Sequence, residues 1–176
     1  VVLAFGSMFF VTPDREYIEY IDFRTLSILF CLMAVMAGLQ QMGVFREIAE
    51  ALLKKVQKIW QLVLILVMLC FFFSMLITND VALITFVPFA LVALKKSGQN
   101  RLIVPVVVLQ TVAANLGSML TPIGNPQNLY LYNLSGMNMG EFILCMLPNT
   151  LISLGLIIVS LLFVKGKTQA VVTEQK

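Results

Sequence analysis

The sequence contains no histidine and few charged residues, and both absences limit what the protein can be. Only 12% of the 176 residues carry charge, and the net charge is +3. A soluble domain of this length needs a charged surface that so few residues cannot build. The three cysteines, Cys31, Cys70 and Cys145, lie in apolar blocks without CxxC spacing. We therefore interpret them as small buried hydrophobes and predict no metal site.

Apolar residues make up 60% of the chain and are grouped in long blocks, with a mean hydropathy of +0.95. Four blocks carry no charge: residues 25–45, 59–79, 102–140 and 142–164. A helix that spans a membrane needs about 20 apolar residues. Helices also satisfy their own backbone groups in lipid. The sequence predicts an all-α integral membrane protein, with residues 1–164 as the membrane domain and residues 165–176 as a cytoplasmic tail.

The basic residues indicate the orientation of the chain in the bilayer. Most of them fall in three clusters, within residues 46–58, 95–101 and 165–176. The positive-inside rule places these clusters in the cytoplasm, which makes the protein multi-pass in the plasma membrane. Residues 1–12 then run outward and residues 26–44 return. Residues 45–58 are predicted to form an amphipathic helix on the membrane surface or, alternatively, a helix of a small cytoplasmic cap.

The stretch "SMLITNDVALITFVPFAL" is interpreted as a re-entrant helical hairpin. Its second arm, residues 81–94, would cover roughly 21 Å, which is less than the hydrocarbon thickness of ~30 Å. The predicted turn is Thr78, Asn79 and Asp80, with Ser74 one helical turn earlier on the same face. An aspartate at this depth is tolerable only within protein or a watery cavity, which favours a functional role. The alternative is that Asn79 and Asp80 only cap the second arm.

The stretch "TPIGNPQN" predicts a break in the next helix. Pro122 and Pro126 cannot donate a hydrogen bond, and Gly124 permits a turn where a side chain would clash. Apolar residues flank the break on both sides, which indicates a discontinuous helix at membrane depth. The alternative is an ordinary turn at the outer interface. Neutral oxygens and amides at the break suit Na⁺ and carboxylate or oxyanion groups: Thr121, Asn125 and Asn128.

Three stretches together resemble the ion transporter superfamily of divalent anion–sodium symporters, citrate carriers and arsenite efflux permeases. They are "YIDFRTLSILFCLMAVMAGLQQMGVFREIAEAL", the hairpin stretch, and "LTPIGNPQNLYLY". The resemblance implies that Thr78 and Asn79 match the first two positions of a Ser-Asn-Thr tip. It also implies that Ser74 lies near the sodium ion and that Gly124 lends it a carbonyl. Asn128 matches the last residue of the T-x-x-G-x-P-x-N break.

Asp80 departs from the Ser-Asn-Thr tip and is similar to the arsenite-permease tip, so substrate and coupling ion stay open. Family members carry two inverted repeats, each with one hairpin and one broken helix. The chain resembles the N-terminal repeat, half of an inverted-repeat transporter. The resemblance implies a second repeat, in the full-length chain or in a partner chain, and a homodimer.

These observations predict secondary active transport of a small anion, a di- or tricarboxylate or an inorganic oxyanion, coupled to Na⁺ or H⁺. The alternatives are an arsenite-type oxyanion efflux permease and a truncated, non-transporting membrane remnant. We expect no enzyme, no nucleic-acid partner and no cofactor beyond the coupling ion. Asp80 is the one carboxylate predicted within the membrane, which excludes a two-aspartate protease. The substrate-binding residues are predicted to be Thr78, Asn79, Asp80, Asn125 and Asn128, and the ion-binding residues Ser74, Asn79, Asp80, Thr121 and Gly124.

Overall fold

The computed structural model describes residues 6, 21–43, 47, 51, 56 and 58–163. Every regular element in this part of the chain is a helix, which confirms the all-α prediction. The elements are α1 (Phe23–Gln41), α2 (Ile59–Phe73), α3 (Asn79–Lys96), α4 (Ile103–Gly117), α5 (Pro126–Ser135) and α6 (Met139–Phe163). Short 3₁₀ turns, Asn100–Leu102 and Ser118–Leu120, flank α4. The predicted first span, amphipathic helix and tail lie outside the described residues.

Two helical stretches are long and apolar enough to cross a membrane. They are Asn100–Leu120, with 21 residues, and Met139–Phe163, with 25 residues. At 1.5 Å per residue they cover about 32 and 38 Å, which meets the ~30 Å of the hydrocarbon core. α1 is apolar as well but shorter. Length and composition thus agree with the predicted membrane protein.

Helices α2 and α3 form the predicted helical hairpin, but its arms and turn differ from the prediction. The second arm has 18 residues rather than 14, because the helix includes Asn79 and Asp80 at its start and Lys95 and Lys96 at its end. The turn lies at residues 74–78 rather than 78–80. Thr78 is extended, with φ −67° and ψ 150°, and its Oγ1 accepts the N–H of Val81 at 3.4 Å. Thr78 therefore caps α3, and Asn79 and Asp80 belong to its first helical turn.

Whether the hairpin is re-entrant stays a prediction, although both arms are short for the bilayer. The 15 residues of α2 and the 18 residues of α3 correspond to about 22 and 27 Å.

Helix α2 lies at the centre of the fold and packs against both α3 and α4. Eight of its fifteen residues are buried, whereas Trp60 and Phe72 are about half exposed. A helix that is apolar all round is typical of a core position. Helix α4 has a narrower buried stripe at helical spacing, Val106, Gln110, Ala113, Ala114 and Gly117. Helix α6 packs against α4, and α1 contacts α5.

Gln110 joins all three helices of this core. Its side chain is fully buried, and its Nε2 donates to the backbone oxygens of Leu66 in α2, at 3.5 Å, and of Phe86 in α3, at 3.3 Å. Its Oε1 is buried without a hydrogen-bond partner among the described residues. The amide nitrogen thus bridges both arms of the hairpin, while the amide oxygen carries a desolvation cost.

A polar contact joins the start of α1 to α5. The hydroxyl and the backbone N–H of Thr25 both donate to the carboxylate of Asp22, just before α1. These two bonds lower the pKa of Asp22, the hydroxyl contributing most. Asn133 Nδ2 in turn donates to Thr25 Oγ1 at 2.9 Å. Thr25 therefore connects the entry of α1 to the last turns of α5.

The environment of Gln110 predicts that two substitutions of similar size differ clearly in their effect on stability. Gln110→Glu places an ionisable oxygen against two backbone carbonyls and should destabilise the protein by about 3 kcal/mol. Gln110→Met removes both long hydrogen bonds but also the unpartnered oxygen, so its effect should stay within about 1 kcal/mol. Thermal unfolding in detergent micelles compares the two variants. Equal destabilisation by Met and Glu would contradict this assignment.

Candidate functional site

The turn between α2 and α3 touches the break between α4 and α5 directly. The backbone N–H of Asn79 donates to the backbone oxygen of Gly124 at 3.1 Å. The hydroxyl of Thr121 donates to the backbone oxygen of Met75 at 2.6 Å. Both bonds use backbone groups that lie outside the regular helical pattern, which must find partners when water is scarce. The two stretches singled out in the sequence therefore form one site.

Two glycines permit close backbone packing at this site, Gly117 between α4 and the hairpin and Gly124 within the break. A Cβ atom on Gly117, at the end of α4, would lie 2.1 Å from the backbone oxygen of Phe71 and 2.7 Å from Ser74 Oγ. A Cβ atom on Gly124 would lie 2.2 Å from the backbone oxygen of Ser118. Backbone atoms cannot move aside as the end of a flexible side chain can. Both positions therefore require glycine because of space, not because of φ.

The break itself is held by two asparagines. Asn125 caps α5, because its Oδ1 accepts the N–H of Asn128 at 2.8 Å and its Nδ2 donates to Ser118 Oγ at 3.1 Å. Asn128 Nδ2 lies 2.8–3.3 Å from the backbone oxygens of Ser118, Met119 and Thr121. Asn128 is 6% exposed. It satisfies the free carbonyls at the end of α4, and its contact with substrate stays a prediction.

The two hydroxyls predicted for the hairpin, Ser74 and Thr78, are both buried. Ser74 Oγ donates to the backbone oxygen of Phe71 at 2.8 Å. Thr78 Oγ1 accepts from Val81 as the cap of α3. Each oxygen keeps a lone pair beyond these bonds. Ser74 Oγ lies on the side of α4 that carries Gly117, and Thr78 directly precedes Asn79, whose N–H bonds to the break.

Asn79 and Asp80 lie at the open side of the site. Asn79 is half-buried, and its Nδ2 donates to Oδ1 of Asn115 in α4 at 3.0 Å. Asn115 Nδ2 donates in turn to the backbone oxygen of Thr111 at 2.8 Å. Asp80 is exposed, and its carboxylate has no hydrogen-bond partner among the described residues. The predicted pair at the tip is therefore present, with Asn115 as a neighbour.

This arrangement offers oxygens and helix-end amides side by side. The amides of the first turn of α3 favour an anion, and Asp80, Asn79 and the Gly124 carbonyl offer oxygens to a cation. No enclosed cavity formed by the described residues contains this set. Two open surface grooves lie elsewhere, one between the start of α4 and the end of α6 and one along α1.

Sequence reasoning missed two parts of the site. Ser118 is not among the predicted site residues, yet its hydroxyl donates to the Asn115 backbone oxygen and accepts from Asn125. The Met75 carbonyl is not among them either, because a backbone acceptor has no signal in the sequence. A hydroxyl four residues before Pro122 is the signal that could have indicated the role of Ser118.

Comparison with known proteins identifies the family. The family model described as citrate transporter matches residues 1–175 of the chain. The chain belongs to the citrate transporter family. This membership confirms the resemblance found in the sequence. Members of the family are transporters, so the prediction that the chain is not an enzyme is also confirmed.

Three relatives illustrate the similarity. An uncharacterized transporter of Methanocaldococcus jannaschii is 32% identical over 78% of this chain and 39% of its own length. The inner membrane protein YbiR of Escherichia coli is 32% identical over 84% of this chain and 40% of its own length. The silicon efflux transporter LSI3 of Oryza sativa is 32% identical over 86% of this chain and 31% of its own length. The chain thus spans about a third to two fifths of these relatives, and no solved structure matches it.

The glycine contacts predict which glycines tolerate a methyl group. Gly117→Ala and Gly124→Ala force a Cβ atom into a backbone carbonyl and should each cost about 1–3 kcal/mol. Gly117→Ala should push the hairpin away from α4, and Gly124→Ala should distort the break. Gly155→Ala in α6 is the matched control, because a Cβ atom there meets nothing within 4 Å. It should leave the protein unchanged or stabilise it by up to about 1 kcal/mol. Melting temperatures in detergent test this ranking, which an equally destabilising Gly155→Ala would contradict.

Proposed function

We propose that this chain forms one half of a secondary active transporter for a small anion, a di- or tricarboxylate or an inorganic oxyanion. Transport is coupled to Na⁺ or H⁺, and the protein resides in the plasma membrane. The anion binds at the first turn of α3, with Asn79, Asp80 and the break residues Asn125 and Asn128 around it. The coupling cation binds at the oxygens of Ser74, Asn79, Thr121 and Gly124, with Asp80 as the nearby negative charge.

The hydrogen bond from Asn79 N–H to the Gly124 carbonyl is the observation that carries this proposal. It brings the two interrupted backbones into one site within apolar segments, where unpaired polar groups are costly. Discontinuous helices of this kind hold substrates and ions at the midplane of many transporters. Family membership supports the same function.

The open side of the site supports a second half. Asn79, Asp80 and Asn115 are at least partly accessible, although polar groups at this depth require protein or water around them. The relatives are also more than twice as long as the matched region. We propose that a second, inverted repeat covers this side, either in the full-length chain or in a partner chain, within a homodimer.

An efflux function for a weakly acidic oxyanion, as in an arsenite-type permease, is the second candidate. Asp80 favours it, because a carboxylate at the tip repels a multiply charged carboxylate substrate more than it repels a neutral or singly charged oxyanion. The relative named a silicon efflux transporter supports export as well.

Uptake assays on the full-length protein encoded by this gene test the proposal. Vesicles that carry the protein should take up labelled citrate, succinate or sulfate faster with an inward sodium or proton gradient. Asn79→Ala should reduce this uptake at least tenfold, because it removes the side-chain oxygen that the proposed cation site needs.

Asn100→Ala is the matched control for this test. Asn100 lies at the other end of the long stretch that includes α4, about 27 Å along the helix from Ser118, where the break begins. Uptake by the Asn100→Ala variant should stay within twofold of uptake by the unmodified protein. If Asn79→Ala took up the anions as fast as the unmodified protein, the proposed site would be wrong. Gradient-independent export of arsenite, with no uptake of the three anions, would favour the second candidate.

A further inference from the structure

We infer that Asn115 is a positioning residue that fixes the direction of the Asn79 carboxamide, so that its oxygen faces the coupling cation. The inference rests on the proposed function, because it assigns a cation to the open side of the site. It adds a residue that neither the tip nor the break contains. Asn115 lies in the intact part of α4, two residues before the close-contact glycine, Gly117.

The orientation of the Asn115 carboxamide follows from its contact with a backbone carbonyl. The carbonyl oxygen of Thr111 can only accept a hydrogen bond, so the Asn115 atom 2.8 Å away must be Nδ2. The other end of the Asn115 carboxamide, Oδ1, therefore points to Asn79. An oxygen without hydrogen can only accept as well, so the Asn79 atom at 3.0 Å must be its Nδ2.

The direction of Asn79 follows from this relay. With Nδ2 bound to Asn115, Oδ1 of Asn79 points away from α4 and has no hydrogen-bond partner among the described residues. The backbone N–H of Asn79 is already bound to Gly124. Asn79 therefore presents mainly an acceptor to the open side. An acceptor suits a cation such as Na⁺, whereas an anion would need the opposite amide direction.

Without Asn115, the Asn79 carboxamide has no fixed direction. Its two ends are nearly equal in size, and either end can face the ion. The nitrogen end repels a cation, so only part of the protein molecules would hold a competent site, and apparent affinity falls by that fraction. A carboxylate at position 79 would avoid this loss, because it offers oxygen from both ends.

Sodium binding to the purified full-length protein tests the inference directly. The melting temperature is measured against NaCl concentration, with choline chloride holding ionic strength constant, because a ligand that binds the folded state stabilises it. Asn115→Ala should raise the half-saturating sodium concentration about twofold, because about half of the molecules then turn the Asn79 oxygen toward the ion. In transport assays at saturating sodium, the KM for the labelled anion should stay unchanged.

Two further variants separate positioning from general damage. Thr111→Val removes a neighbouring hydroxyl, which donates to the Val107 carbonyl, and keeps the Thr111 carbonyl that anchors Asn115. It should leave the half-saturating sodium concentration unchanged. Asn79→Asp combined with Asn115→Ala should restore that concentration to the value of the unmodified protein or below it.

The outcomes distinguish this inference from the proposed function. If sodium stabilises the unmodified protein, but Asn115→Ala matches Thr111→Val or Asn79→Asp gives no rescue, the positioning role is wrong and the transporter proposal stands. If sodium does not stabilise the unmodified protein, the sodium site is wrong, and this inference fails with it. Where Asn115→Ala does not fold, Asn79→Asp should bind sodium at least tenfold more tightly than Asn79→Leu, and equal binding overturns the inference.

Discussion

Direct contact between two backbones, one in the hairpin turn and one in the helix break, is the constraint on which this structure depends. Gly117 leaves room for the Phe71 carbonyl of the hairpin against the end of α4, and Gly124 leaves room for the break to fold against the Ser118 carbonyl. The contact pairs the N–H of Asn79 with the carbonyl of Gly124 and the hydroxyl of Thr121 with the carbonyl of Met75. In an apolar environment these pairings are obligatory rather than optional, because no water replaces them.

The polar contacts divide the described chain into a tight unit and a loosely attached helix. The hairpin α2–α3 and α4 share a dry core in which the single nitrogen of Gln110 bonds to a carbonyl of each hairpin arm. Helix α1 shares little of that core and leaves much of its apolar surface exposed, including Phe30 and Met33. Its polar connection to the rest is Thr25 with Asn133, at one end of the helix. A unit built in this way can keep its site intact while its position relative to α1 changes.

The helices and the break could be predicted from the sequence, because both depend on residues that are neighbours along the chain. Charge-free blocks predicted the helices, and Pro122, Gly124 and Pro126 predicted the break. The turn was misplaced by several residues, since "TND" reads as a turn, whereas the extended backbone of Thr78 lets α3 begin immediately after it. The partners of Gln110 and Asn128 could not be predicted. Both side chains donate to backbone carbonyls, and the carbonyls that Gln110 reaches are far away in the sequence. Only the packing of the helices decides which carbonyls lie within reach.

The bonds of Asn128 have a consequence for the rigidity of the break. Its Nδ2 lies 2.8–3.3 Å from the backbone oxygens of Ser118, Met119 and Thr121, so its two N–H hydrogens hold these three carbonyls in one direction. The carbonyl dipoles of the break are therefore oriented by the protein itself. A ligand that used them would not bear the entropic cost of ordering them.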